Sequence, residues 1–322
     1  MKSRSKTVAG VSFAVAAACV VTCSRERPST AAPIAAPSAA PPPAAPSALT
    51  AEQLSAVLPR VDTSSLTPAQ RAGLLEVATD TFCYCGCPHT LAGCLKDHNA
   101  CGHAPRAAAL ATKALADGVG SGLVIAQLEG YYASFPNEHR QHPSEEGCVF
   151  RGNPKAPITV VEFSDYQCPH CAAVAPLLDD VVTKQFVGKV KLCSKYFPLP
   201  MHPRAQIAAQ AAEYVHQKYP DKFWAFHAAL FAHQESLEDG DLKKIAAGVG
   251  IKGDELLKHM NENRYADVVN KTKAEATALK VPATPALFLN GRYLVLKPTP
   301  DLLTHTIEDE IEWNEHHGWK PD

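Results

Sequence analysis

An α/β fold, preceded by a small, mostly α-helical, cysteine-rich domain, follows from three features of this 322-residue chain. An apolar, β-branched run beginning at Ile158 leads through Ser164-Asp165-Tyr166-Gln167 into Cys168-Pro169-His170-Cys171, and apolar residues then recur at helical spacing over 172–182. Far downstream, Ala286-Leu287-Phe288-Leu289 and the run starting at Arg292 read as two short strands joined by Asn290-Gly291, a pair suited to a tight hairpin turn. Ahead of both, residues 49–135 alternate helical patterns with a dense group of cysteines.

Taken in order, residues 1–6 are basic and 8–21 apolar and small, the pattern of a secretory signal too short to span a membrane. We assign the signal to 1–23. Cys23, followed by Ser24-Arg25-Glu26-Arg27, resembles a bacterial lipoprotein acceptor, and Cys19 is the competing position. Simple cleavage is the alternative, and export follows either way. Residues 24–48, rich in Ala, Pro and Ser, cannot bury a core and read as an extended tether.

The small domain is assigned to 49–138. Leu54, Val57 and Leu58 fall at helical spacing, as do Leu74, Leu75 and Ala78, and further helices are expected over 105–115 and 123–132. Its cysteines are Cys83, Cys85, Cys87, Cys94 and Cys101, with His89, His98 and His103 interspersed. Thiolate and imidazole suit zinc or copper. An exported chain equally favours disulfides, joining members of the triplet to Cys94 and Cys101, because a Cys83–Cys85 bridge would be strained. Five cysteines cannot all pair internally, so a thiol, a metal or an outside partner remains; an auxiliary redox relay is the third reading. The stretch resembles bacterial lipoproteins named for a Pro-Cys-Tyr-Cys-Gly-Cys motif, with Phe82 in place of the proline, and more faintly the CcmH-type thiol proteins of cytochrome c maturation.

Residues 139–146 are polar and read as a linker, and 147–317 as the α/β domain. Cys168 and Cys171 stand where first-turn N–H groups and the positive helix end favour a thiolate. Cys168 is therefore the expected attacking sulfur and Cys171, one turn in, the resolving one. His170 can add positive charge or a hydrogen bond, favouring the reduced form and making the disulfide oxidising. The spacing alone equally fits a structural disulfide or half of a zinc site. Helical patterns follow over 205–215, 223–231, 242–247, 255–260 and 268–279, broken by Pro220, Gly240, Gly250 and Gly253. Phe223, Trp224, Phe226 and Phe231 read as core; His202, His227 and His233 have no spacing that singles them out. A last helix is expected over 301–313.

With Gly152-Asn153-Pro154-Lys155-Ala156-Pro157, Cys-Pro-His-Cys, Phe197-Pro198-Leu199 and Thr284-Pro285 in this order, residues 147–313 resemble the DsbA-like branch of the thioredoxin superfamily. The resemblance implies a thioredoxin-like fold with a helical insertion. It implies that Thr284 and Pro285, a cis-proline in that family, line the site and present backbone to a substrate peptide. It also implies that Glu162 is a buried acid moving a proton to or from Cys171, the alternative being an ordinary edge carboxylate. The first strand would lie beside 189–196, bringing Cys148 near Cys193, as a disulfide or as two buried free thiols.

The expected function is thiol:disulfide exchange with cysteine-containing exported proteins, the oxidase direction favoured over reductase or isomerase, recharged by a membrane or periplasmic redox partner. The dithiol chemistry needs no cofactor. The alternative is a metal-handling protein whose cluster binds copper or zinc while the dithiol maintains thiol state. With 31 Lys+Arg against 33 Asp+Glu there is no electrostatic case for nucleic acid. The expected location is the periplasmic side of a bacterial membrane, reached through a lipid anchor.

Overall fold

The central strand of the sheet is the apolar run itself: β2 (Ile158–Ser164) is buried at every position but Thr159, which is half-buried. The structure is a computed structural model that describes residues 49–85, 87–98 and 101–316. The signal, the tether and both candidate lipid acceptors, Cys19 and Cys23, lie outside the described residues, as does residue 317. Those described fall in one compact unit.

Five strands are arranged β1-β3-β2-β4-β5. β1 (Val149–Gly152) runs antiparallel to β3 (Val190–Tyr196), and β3 runs parallel to β2. On its other side β2 pairs antiparallel with β4 (Ala286–Leu289), which turns through Asn290-Gly291 into β5 (Arg292–Tyr293). Both turn residues have positive φ, 45° and 89°, as a tight hairpin turn requires. Cys148, just ahead of β1, is disulfide-bonded to Cys193 on β3.

Period-two alternation divides β2 between two cores. Ile158 and Val160 pack with Val174 and Leu178 of α6 (Pro169–Asp180) and with Leu303 and Ile307 of α12 (Pro300–His316). Val161 and Phe163 face the opposite side, against Phe288 and Ala276. Each such side chain contributes roughly 1.5–3 kcal/mol by leaving water. Between β3 and β4 lie α7 (Ala205–Lys218), α8 (Phe223–Ala232), α9 (Asp239–Gly248), α10 (Gly253–Asn261) and α11 (Ala266–Ala278), the helical insertion. Phe223, Phe226 and Phe231 are buried there, while Trp224 is half-buried and donates from Nε1 to the Phe150 carbonyl at 3.3 Å.

The cysteine-rich part contains α1 (Ala51–Val57), α2 (Pro68–Asp80), α3 (Leu91–Asp97), α4 (His103–Ala116) and α5 (Ser121–Ala133). Thr50 with Gln53, and Thr67 with Gln70, form reciprocal capping boxes that start α1 and α2. α3 had no counterpart in the periodicity: it is seven residues long and begins directly after the cysteine-rich loop. These helices dock on α12 through buried charges. Arg106 pairs with Asp309 at 2.5 Å, and the Tyr131 hydroxyl donates to Asp309 at 2.8 Å. Glu310, 1% exposed, receives Arg140 at 2.5 Å and Arg292 at 3.1 Å. The polar stretch 139–146, read as a linker, is tied down along its length: Gln141 N–H donates to the Gly291 carbonyl at 2.8 Å and Ser144 N–H to Glu275 at 2.6 Å. A Cβ on Gly291 would stand 2.0 Å from the Gln141 carbonyl oxygen, so only glycine admits the approach.

Candidate active site

Where β2 ends, Asp165 makes the turn. Its Oδ1 accepts from Gln167 N–H at 2.7 Å, and its carbonyl accepts from Cys168 N–H at 3.0 Å. This local bonding, typical of aspartate in turns, sets Cys168 as the N-cap of α6, with Pro169 preorganised at the first helical position. Cys168 is 5% exposed and Cys171 fully buried; both are free thiols.

The two sulfurs are driven in opposite directions. The adjacent Cys171 thiol, together with Thr284 and the N–H groups of Cys171 and His170, outweighs burial and holds the Cys168 thiol down at about 5. Burial, the Cys168 sulfur and the Glu162 charge push Cys171 well above the thiol range. Cys168 is thus the ionised sulfur at neutral pH and Cys171 the protonated one, the division a nucleophile and its resolving partner require.

Thr284 and Glu162 are both brought to the pair. Cys168 Sγ lies 3.3 Å from the Thr284 carbonyl, across 116 residues of sequence, and the Thr284–Pro285 peptide is cis. Glu162 lies in the middle of the sheet, opposite Ser194 on one side and Leu287 on the other, so it is no edge carboxylate. It is 1% exposed and its Oε1 accepts no hydrogen bond. Burial, with a further push from the Cys168 charge, raises its carboxyl to about 7, a value suited to proton transfer near neutrality. Pro169 and His170 are exposed. His170 contributes its backbone N–H to the Cys168 sulfur.

Sequence reasoning missed the support beneath the motif. Asp165, 2% exposed, accepts through Oδ2 from Leu199 N–H and from His202 Nδ1, each at 2.8 Å, tying the catalytic turn to the Phe197-Pro198-Leu199 loop. The Tyr166 hydroxyl meets His227 Nδ1 at 2.9 Å, and burial, assisted by Arg151, lowers that imidazole to about 3. Two of the three histidines left without a role therefore brace the site; the third, His233, bonds the Ala229 carbonyl on the surface. An aspartate directly after a strand is a turn signal that could have singled out Asp165, whereas nothing local marks its histidine, 37 residues away.

A thioredoxin family model matches residues 144–309. The chain belongs to the thioredoxin family. Disulfide bond formation protein D of Bacillus subtilis is 30% identical to this thioredoxin-family chain over 179 residues, covering 53% of it and 80% of that protein. The crystal structure of oxidised BdbD from Bacillus subtilis superposes with a TM-score of 0.50 at 30% identity, covering 54% of this chain and 97% of that one. The Na(+)/H(+) antiporter NhaA 3 of Salinispora tropica is 34% identical over 143 residues, which is 44% of this chain but only 21% of the antiporter. The thioredoxin match begins after the cysteine-rich helices, and the sheet, the dithiol helix and the helical insertion are those of a DsbA-like member of the family. Among the described residues no helix is long and apolar enough to cross a membrane.

Proposed function

We propose that this chain is an exported thiol:disulfide oxidoreductase that donates its Cys168–Cys171 disulfide to cysteines of other exported proteins. The observation that carries the reading is the split of the dithiol into a stabilised Cys168 thiolate at a helix N-cap and a buried, protonated Cys171. A substrate thiolate attacks Cys168 Sγ, a mixed disulfide forms, and the Cys171 sulfur leaves with the electron pair and takes a proton through Glu162. A second substrate thiolate then attacks the substrate sulfur of that mixed disulfide and expels the Cys168 thiolate. The substrate loses two electrons and gains a disulfide; the chain is left as the dithiol, to be reoxidised by a membrane or periplasmic redox partner. A stabilised Cys168 thiolate is a good leaving group, which favours this direction. The Thr284 carbonyl stands beside the sulfur where the substrate backbone would lie. The Bacillus subtilis relative, named a disulfide bond formation protein, supports the same direction. We place the chain on the periplasmic side of a bacterial membrane, anchored through lipid at Cys23 or, alternatively, Cys19. No cofactor and no nucleic acid enter the reaction.

The test is the reduction potential of the pair in glutathione buffers, together with trapping by Cys171→Ser. A potential well above the glutathione poise and a stable mixed disulfide at Cys168 are expected. A potential well below it would reverse the direction, and no mixed disulfide with any reduced protein would remove the exchange activity.

A further inference from the structure

The dithiol leaves unused a second collection of soft donor atoms, in the helical part of the chain. Cys83, Cys85, Cys101 and His103 offer one donor atom each, all within 4.8 Å of one another, and so do Cys83, Cys85, Cys87 and Cys94. The two groups share Cys83 and Cys85. None of these cysteines is in a disulfide. The contacts run 3.3 Å from Cys83 to Cys85, 3.0 Å from Cys85 to Cys87 and 3.7 Å from Cys85 to Cys94; Cys83 lies 3.7 Å from His103 Nε2. Sulfurs around a tetrahedral ion with bonds of about 2.3 Å stand about 3.8 Å apart, so the donors are already close to a coordination shell.

The local fold presents them together. A single β-bridge, Phe82 to Thr90, with Cys83 N–H donating to the His89 carbonyl at 2.9 Å, closes the loop that carries Cys83, Cys85 and Cys87. α3 supplies Cys94, the turn before α4 supplies Cys101, and α4 opens with His103. All but the half-buried Cys87 are buried. Tyr132 covers the group, its ring 4.1 Å from that of Tyr84 and 5.7 Å from that of His103. Arg60 donates to the Leu95 carbonyl at 2.9 Å and the His98 carbonyl at 3.3 Å, adding positive charge at the edge. Five free thiols crowd a small volume, and an odd number cannot all be oxidised in pairs.

We propose that these six side chains hold a pair of zinc(II) ions, bridged by the Cys83 and Cys85 thiolates, with Cys101 and His103 completing one tetrahedron and Cys87 and Cys94 the other. The donor geometry favours two ions over one: a single tetrahedral ion would use one four-donor group and leave two donors of the other without a role, whereas two ions engage all six side chains. Five thiolates and a neutral imidazole carry five negative charges, of which two divalent ions leave one uncompensated. Four-donor groups of sulfur and nitrogen match the tetrahedral preference of zinc. Each cysteine gives up one proton on binding and nothing is oxidised or reduced.

The assignment is tested on the full chain carrying Cys168→Ser and Cys171→Ser, so that the dithiol takes no metal, reduced without oxygen and titrated with cobalt(II) as a spectroscopic stand-in and then with zinc(II). About two equivalents of cobalt should bind with the absorption of tetrahedral thiolate sites, zinc should displace both, and peptide mapping should find all five cluster cysteines protected from alkylation. Adding Cys94→Ser should leave about one equivalent. Saturation of the parent at about one equivalent would overturn the pair, and five thiols still reactive at saturating zinc would overturn the site. Tight uptake of copper(I) under conditions where zinc leaves the thiols reactive would overturn the choice of metal. Should Cys94→Ser fail to fold, the stoichiometry and thiol protection of the parent decide alone, and none of these outcomes depends on exchange activity.

Discussion

Replacing Glu162 with glutamine should make the reduced chain more stable as pH rises, while slowing its chemistry. The carboxyl is buried on β2, its Oε1 has no hydrogen bond, and burial raises it from 4.5 to about 7. A carboxyl raised by folding ionises first in the unfolded chain, so the folded state loses stability as pH climbs past 4.5 and the loss levels off above about 7. The shift, 7 − 4.5 = 2.5 units, corresponds to about 3 kcal/mol at most. Glutamine has the same shape and no charge to desolvate. Relative to wild type, the variant should therefore gain up to about 3 kcal/mol between pH 4 and pH 8, on top of a constant offset. Urea unfolding of both reduced proteins across that range measures it. A stability difference that does not change with pH would refute the argument, because it would mean that the carboxylate is solvated or paired. In the same variant, closure of the Cys168–Cys171 disulfide should slow by about 10²-fold or more, since the group that takes the Cys171 proton is gone; stopped-flow oxidation reads this directly.

Titration of thiolate absorbance should give a Cys168 midpoint near 5. A depressed thiol stabilises the reduced fold fully above its unfolded value of 9.0 and progressively less as pH falls through 5, so a stabilisation on the order of 2–3 kcal/mol at most is present at pH 7 and nearly absent at pH 4. The difference in melting temperature between the reduced and oxidised forms should shift against the reduced form over that range. Asp165→Asn loses the charge that accepts from Gln167, Leu199 and His202, and should cost about 1–3 kcal/mol and loosen the 197–199 loop, seen as faster amide exchange at Leu199. Glu310→Gln leaves Arg140 and Arg292 buried without their counter-charge and should cost about 3–5 kcal/mol in thermal unfolding; an unchanged melting temperature would mean that both guanidiniums reach water.

What was legible in the sequence is what a few neighbouring residues can encode. Period-two apolarity marked β2, Asn290-Gly291 marked the hairpin, and the helix start after Cys168 marked the attacking sulfur, because each depends on local dihedrals and on which side chains share a face. The insertion helices were read from 3.6-residue spacing and differ only at their ends, where none of the five has a side-chain cap hydrogen bond to mark its start. α3 was invisible because two turns of helix hold too few residues to show a period, and it begins at a cap, Thr90, inside a loop read only for its cysteines. Arg292 shows the opposite limit. A charged residue after a hairpin turn reads as solvent-facing, yet it is 1% exposed, stacked 3.8 Å over Phe135 and paired with Glu310.

The sequence by itself determined the dithiol, its place at a helix N-terminus, and the order of strands and helices around it. Tertiary structure alone decided that the Thr284 carbonyl meets Cys168, that Glu162 is buried in mid-sheet without a full set of hydrogen bonds, that His202 braces Asp165, and that His103 joins the cysteines of the loop before it. These are contacts between segments 20 to more than 100 residues apart. They form when separate apolar faces pack against one another, and no local propensity specifies which polar groups will be enclosed when they do.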